Sequence, residues 1–229
     1  MTRRLEEGVE KRRDIALAGH RGDVATVRAA LADEDGRVRA TALGALTRAG
    51  ALTTADLERA AEDAEPVVRQ RVAEAAAAAD VRGAWVPVVA LLDDVDDGVV
   101  EAAAWACGEL TYPDRQARVS AVNRLVRLTI DHEDALVREA AVAALGSIGD
   151  RRGLEAILAA TRDKPAVRRR AVLALAPFDG PEVDEALSRA QQDRDWQVRQ
   201  AAEDLSPSDL RVDSGDMAPE SHRHSPGDG

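Results

Sequence analysis

Small and aliphatic residues return along this chain at offsets of four, seven and eight from a recurring valine. After Val38 come Ala42, Ala45 and Leu46; after Val137 come Ala141, Ala144 and Leu145. Val167 is followed by Ala171, Ala174 and Leu175, and Val68 by Val72, Ala75 and Ala76. That spacing places the apolar positions on one stripe of an α-helix, so each valine predicts a helix with a narrow, small-residue seam. An arginine follows the valine at Val38-Arg39, Val68-Arg69, Val137-Arg138, Val167-Arg168 and Val198-Arg199. Val100-Glu101 reads as a further copy that keeps the valine and loses the arginine, giving spacings of 30, 32, 37, 30 and 31 residues. A period of that length marks a repeat architecture.

Each of these helices is preceded by an acidic turn. Asp33-Glu34-Asp35-Gly36, Asp63-Ala64-Glu65-Pro66, Asp96-Asp97-Gly98 and Asp131-His132-Glu133-Asp134 are the clearest. Aspartate there caps the orphan N–H groups of a helix start and complements its dipole, while proline is tolerated in the first turn. Upstream lie shorter amphipathic segments: Asp23–Leu31, Ala55–Ala61, Trp85–Leu92, Arg115–Thr129, Leu154–Ala160 and Val183–Arg189. The unit is helix, acidic turn, helix. One such pair cannot bury its apolar face alone, whereas stacked pairs share a continuous core. The expected fold is therefore all-α, a solenoid of about six helix pairs. Residues 1–19 form an N-terminal capping helix closed by Gly19, and 20–205 form the array. In 206–229, Pro207, Pro219 and Pro226 mix with Ser, Gly and Asp without hydrophobic period, which predicts a disordered acidic tail.

The run Asp33-x-Asp35-x-x-Val38-Arg39-x-x-Ala42-x-x-Ala45-Leu46 resembles the HEAT repeat, especially the short bacterial variety related to phycobilisome lyase subunits. The resemblance extends from about Asp23 to Leu205. It implies a right-handed α-α superhelix in which the acid six residues before the arginine, and the arginine itself, form a ladder between neighbours. Asp33/Arg39, Asp63/Arg69 and Asp193/Arg199 match that pattern. Arg138 and Arg168 keep the basic member, but His132 and Arg162 stand at the acidic position, and the third copy has Val95 and Glu101. The ladder is expected to be interrupted mid-array. The family spans scaffolds, lyases and repair enzymes, so the resemblance speaks to fold more than to function.

Composition narrows the reading. Hydrophobic residues make up 45% of the chain but aromatics only 2%, so the core is built from Ala, Val and Leu. That suits closely packed helices and not a sandwich or barrel, which draws on β-branched and aromatic runs. A formal charge of −11 opposes phosphate backbones, making nucleic acid a poor partner. The single cysteine, Cys107, excludes an internal disulfide and reads as a small hydrophobe in an Ala-rich helix. The start of the chain turns acidic at once, and no apolar run approaches the roughly 18 residues that span a bilayer, so the expected setting is cytoplasmic.

Candidate chemistry is sparse. His132-Glu133 invites comparison with the His-Glu dyads of HEAT-like iron hydroxylases, but a metal needs several ligands at fixed distance and this dyad stands alone in a turn. His20, and His222 and His224 in the tail, add no ligand set. Cys107 and His132 lack an orienting partner, and no phosphate-binding loop or nucleophile elbow occurs. The chain therefore reads as non-enzymatic, without metal or cofactor. The resemblance leaves two alternatives, a bilin-lyase-like chromophore-handling protein and a HEAT-like DNA repair protein.

A binding surface is the stronger expectation. In solenoids of this kind the second helices line the concave side, and offsets 2, 6 and 9 from each valine face outward. They give Gln70, Glu74, Glu109, Glu139, Arg169 and Gln200. Offset 5 adds Leu43, Trp105, Val142 and Val172, which either pack on the first helix of their own repeat or, at Trp105, anchor an interface. The expected partner is a protein or peptide carrying a basic segment; the oligomeric state stays open.

The seam assignment is testable. Ala141→Leu should overpack the interface at a cost of about 1–3 kcal/mol, while Glu139→Leu on the outward side costs less. Thermal melts compare the two, and equal melting temperatures would sink the assignment.

Overall fold

The computed structural model describes residues 2–79 and 81–205. The expected tail, 206–229, lies outside the described residues. Among those described, the chain is entirely helical: α1 (Thr2–His20), α2 (Val24–Ala29), α3 (Gly36–Arg48), α4 (Thr54–Ala61), α5 (Pro66–Ala78), α6 (Trp85–Ala90), α7 (Asp97–Glu109), α8 (Arg115–Asp131), α9 (Ala135–Ile148), α10 (Leu154–Ala160), α11 (Pro165–Ala174), α12 (Pro181–Ala190) and α13 (Trp196–Leu205). Single 3₁₀ turns extend α2 and α6 and precede α10. From α2 onward the helices form six pairs. The second members stack in one row, α3, α5, α7, α9, α11 and α13, each packed against the next. The fold is an α-solenoid.

Local sequence explains many of the helix starts. Asp35 accepts from the Arg37 N–H at 2.8 Å, Asp134 from Leu136 at 2.7 Å, and Asp96 from Val99 at 3.2 Å. Pro66 and Pro165 open α5 and α11. Thr53 and Asp56 close a reciprocal capping box on α4. The seam is dry: Ala42, Leu43, Ala45 and Leu46 in α3, and Ala141, Val142, Ala144 and Leu145 in α9, are all buried. Offset 5 thus belongs to the seam along with 4, 7 and 8.

The same burial pattern corrects the register of the third copy. In α7 the buried positions are Val99, Ala103, Ala104, Ala106 and Cys107. The N-cap Asp96 stands three residues before Val99, as Glu65 stands three before Val68. The repeat valine is therefore Val99, not Val100. Val100, itself buried, occupies the place of the ladder arginine.

Helix α1 packs on α3 as though it were the second helix of a preceding repeat. It runs through Gly19 to His20, so Gly19 does not close it; Gly22, with φ 77°, holds the left-handed turn position. Gly19 serves close approach instead, since a Cβ there would sit 2.8 Å from the Ala45 Cβ. Gly146 is tighter still, with its Cβ position 2.7 Å from the Ala174 Cα. Each glycine faces the alanine at offset 7 of the next second helix, which lets the backbones come together. Lys11 then falls in the ladder position of α1, and its Nζ lies 3.0 Å from Asp33.

The ladder has a definite geometry. Arg39 Nε and Nη2 donate to the two Asp63 oxygens at 2.7 and 2.6 Å, while Nη1 donates to the Asp33 carbonyl at 2.8 Å. Arg69 repeats this with Asp94 and the Asp63 carbonyl, Arg138 with Asp163 and the His132 carbonyl, and Arg168 with Asp193 and the Asp163 carbonyl. Each arginine therefore takes the backbone of its own turn and the carboxylate of the next. The acids in the third and fifth turns are Asp94 and Asp163, one residue from Val95 and Arg162 respectively. Asp94 stands six residues before Val100, as Asp63 stands six before Arg69, so the corrected register accounts for it; the fifth turn alone is one residue shorter, with Asp163 five before Arg168.

The interruption falls at one junction. Val100 replaces the arginine and His132 replaces the aspartate that would receive it. His132 still fills the aspartate's place within its own turn, where its Nδ1 accepts from the Asp134 N–H at 3.2 Å, as Asp33 accepts from Asp35 at 2.9 Å. What it lacks is the charge, and Val100 has none to offer it.

The arginines hold the ladder aspartates below the usual carboxylate range. For Asp94, Asp163 and Asp193 the guanidinium hydrogen bond is the largest cause, opposed by burial; at Asp63 burial is the larger influence but the combined hydrogen bonds outweigh it. A carboxylate with a depressed folded value contributes stability above its unfolded value, near 4, and loses it as pH falls toward the folded value.

Two outcomes follow from the ladder. The melting temperature should be level at neutral pH and drop below about pH 4. Asp163→Asn should lower stability by roughly 2–3 kcal/mol at pH 7 and flatten that acid limb; an unchanged acid limb would show that the pair does not titrate with folding. In the second, Val100→Arg and His132→Asp each destabilise alone, because each leaves a charge unpaired. Together they should recover roughly 1–3 kcal/mol in a double-mutant cycle, and additive losses would refute the co-substitution.

Candidate functional site

The row of second helices leaves one prominent groove, about 670 Å³ in volume, along α5, α7 and α9 and reaching α11 at Arg170. Side chains at offset 2 from the valines of α5, α7 and α9, and one turn further on in α5 and α7, line it. From α5 come Gln70 and Glu74, from α7 Glu101, Trp105 and Glu109, from α9 Leu136 and Glu139, and from α11 Arg170. Between them the floor is alanine and glycine: Ala102, Gly108, Ala140, Ala143 and Ala144. Of these, Gly108 and Ala144 are kept small by close backbone approach, since a Cβ on Gly108 would lie 3.1 Å from the Ala144 Cα.

Trp105 is half exposed, at 50%. With the third copy registered on Val99, it stands at offset 6, on the outward face with Glu74, and not at offset 5. The buried offset-5 residue of α7 is Ala104. The reading in which Trp105 packs against the first helix of its own repeat is thereby overturned. Sequence reasoning missed Glu101 as a member of this surface for the same reason. The adjacent pair Asp96-Asp97 was the available signal, since choosing Asp96 as the cap sets the register.

The expected surface residues are divided by the structure. Gln70, Glu74, Trp105, Glu109 and Glu139 meet in the groove, whereas Arg169 and Gln200 do not line it. Arg169 is exposed on α11, and Gln200 donates to Asp204 at 2.9 Å near the end of the array. Arg170 is the basic residue that reaches the groove, and it lies 3.5 Å from Glu139. Glu74 is engaged by Arg71 at 2.6 Å on its own helix. Four glutamates line the groove against the single arginine, so its field is negative.

Elsewhere the chemistry is quiet. Burial pushes the Cys107 thiol up to about 12, leaving it protonated and unreactive at neutral pH. Its carbonyl accepts from the Tyr112 hydroxyl at 2.8 Å. His132 sits within reach of Asp97, 3.8 Å away, but among the described residues no three His, Cys, Asp or Glu side chains gather as a metal site. No described helix is long and apolar enough to cross a membrane.

Comparison with known proteins agrees with this architecture. The family described as HEAT repeats matches residues 91–166 and 122–206, together just over half of the chain. No curated protein sequence matches it. Among solved structures, an engineered protein aligns at a TM-score of 0.61 with 22% identity, covering 80% of this chain and 96% of its own. A designed armadillo repeat protein in complex with the peptide (KR)4 aligns at 0.60 with 21% identity, covering 79% and 96%. A further designed armadillo repeat protein gives 0.58 at 21% identity, covering 79% and 97%. These likenesses concern the fold alone. With paired helices stacked by an arginine–aspartate ladder, and with the repeat family matched across more than half its length, the chain belongs to the HEAT-repeat family.

Proposed function

We propose that this protein is a cytoplasmic, non-enzymatic scaffold that binds a protein or peptide partner through the groove on its second helices. The carrying observation is the groove itself: an open channel with a half-exposed indole and four glutamates along its walls. Exposed aromatics on a small-residue floor suit an extended chain whose side chains enter between helices. The negative lining favours a partner with a basic segment, by attraction during encounter and by charge pairing once seated. One structural neighbour is described in complex with (KR)4, a peptide of alternating lysine and arginine, which lends the reading support from a related architecture. Chromophore handling rests on the repeat-level resemblance alone, and co-expression with a bilin and its acceptor protein, followed by absorption spectra, tests it.

Selection of a random displayed-peptide library on the wild-type protein should enrich lysine- and arginine-containing sequences. A variant carrying Gln70→Lys, Glu74→Lys and Glu139→Lys should not retain them, while keeping its helical circular dichroism. Absence of any enrichment on the wild type, or enrichment that survives the charge reversal, would overturn the assignment of the groove.

A further inference from the structure

The groove is not uniform. On α7, Glu101, Trp105 and Glu109 follow one another at intervals of four residues, so their Cβ atoms lie about 5–6 Å apart along a single face. The indole is thus flanked by a carboxylate on either side. The other two glutamates of the groove are engaged, Glu74 by Arg71 and Glu139 by Arg170. Glu101 and Glu109 have no ion-pair partner among the described residues. The available negative charge is therefore concentrated at the two ends of the half-exposed ring. Beside it Ala102, Ala140 and Ala143 leave room for a long side chain to lie flat.

We infer that this stripe is a subsite for an arginine of the partner peptide, with the guanidinium stacked on Trp105 and its N–H groups directed to Glu101 and Glu109. The inference deepens the basic-segment reading and rests on it. Arginine fits for physical reasons that lysine does not share. Its guanidinium is planar and weakly hydrated, so it loses little on stacking over an indole, and its fork can serve two carboxylates at once. An ammonium is a compact, strongly hydrated point charge that would remain at the carboxylates and gain less from the ring. The stripe is also one-sided. The corresponding outward positions of α9, Glu139 and Ala143, offer no aromatic face, so a single arginine of the partner sets the register of the whole segment.

Two fluorescein-labelled probe peptides of equal length and charge, one alternating arginine with serine and the other lysine with serine, test this by fluorescence polarisation. The wild-type protein should bind the arginine probe about tenfold more tightly, the equivalent of about 1.4 kcal/mol. Trp105→Ala should bring the two affinities together without abolishing binding, and Trp105→Leu, which keeps apolar bulk but lacks a π face, should do the same. Glu101→Gln with Glu109→Gln should weaken both probes. Equal affinities on the wild type, or a preference that survives both Trp105 variants, overturn the arginine subsite while leaving the basic-segment reading standing. Failure of the wild type to bind either probe overturns both.

Discussion

A guanidinium shared between two repeats is the interaction on which the rest of this structure depends. Each ladder arginine uses one nitrogen to satisfy carbonyls of its own interhelical turn and the other two to grip a carboxylate in the next turn. That carboxylate also accepts an amide within its own turn, two residues on in most copies and from Lys164 next to Asp163. A single aspartate therefore shapes one turn and ties it to its neighbour, so local turn geometry and long-range stacking cannot vary independently. The pairs are largely sheltered, and such pairs specify an arrangement more surely than they add net stability, because desolvation offsets much of the Coulomb attraction. Dispersion and apolar burial along the alanine seam supply the cohesion; the arginines decide how the layers align.

At the junction between α7 and α9 this device is missing, and other contacts hold the layers. The two helices pack extensively, with the Gly108 Cβ position 3.1 Å from the Ala144 Cα. On the other side the long α8 reaches back to the preceding first helix, where Arg124 donates to the Val89 carbonyl at 2.9 Å and lies 3.2 Å from Asp93. The helix without a ladder arginine is also the one that presents Glu101, Trp105 and Glu109. Close backbone approach there keeps the floor of the groove small at Gly108 and Ala144 and leaves the indole standing above it.

A groove of this kind acts by distributing contacts. Its alanine floor offers no chemistry, its thiol neighbour is buried and protonated, and its charged walls are partly neutralised by Arg71 and Arg170. Discrimination falls to the few groups that are both exposed and unpaired. That division between a repetitive, structural majority and a small number of distinctive positions is natural to repeat proteins, where the same stripe must serve every layer.

Much of this architecture was legible in the residues. Period, seam, caps and acidic turns are local patterns of an α-helix and its start, and they determined the all-helical stack and the number of pairs before any contact was known. What periodicity could not decide was register at the third copy, where Val99 and Val100 stand side by side after two consecutive aspartates. One residue of slip turns a helix by about 100°, enough to carry Trp105 from the seam to the open face and to move Glu101 into the groove. Nor could counting back six residues from each arginine find Asp163, because the fifth turn is one residue shorter than the others. Helix formation is decided within a turn of chain, so the sequence alone determines it. Which side chain meets which across a layer depends on how two finished helix pairs settle against each other, and only the tertiary structure decides that.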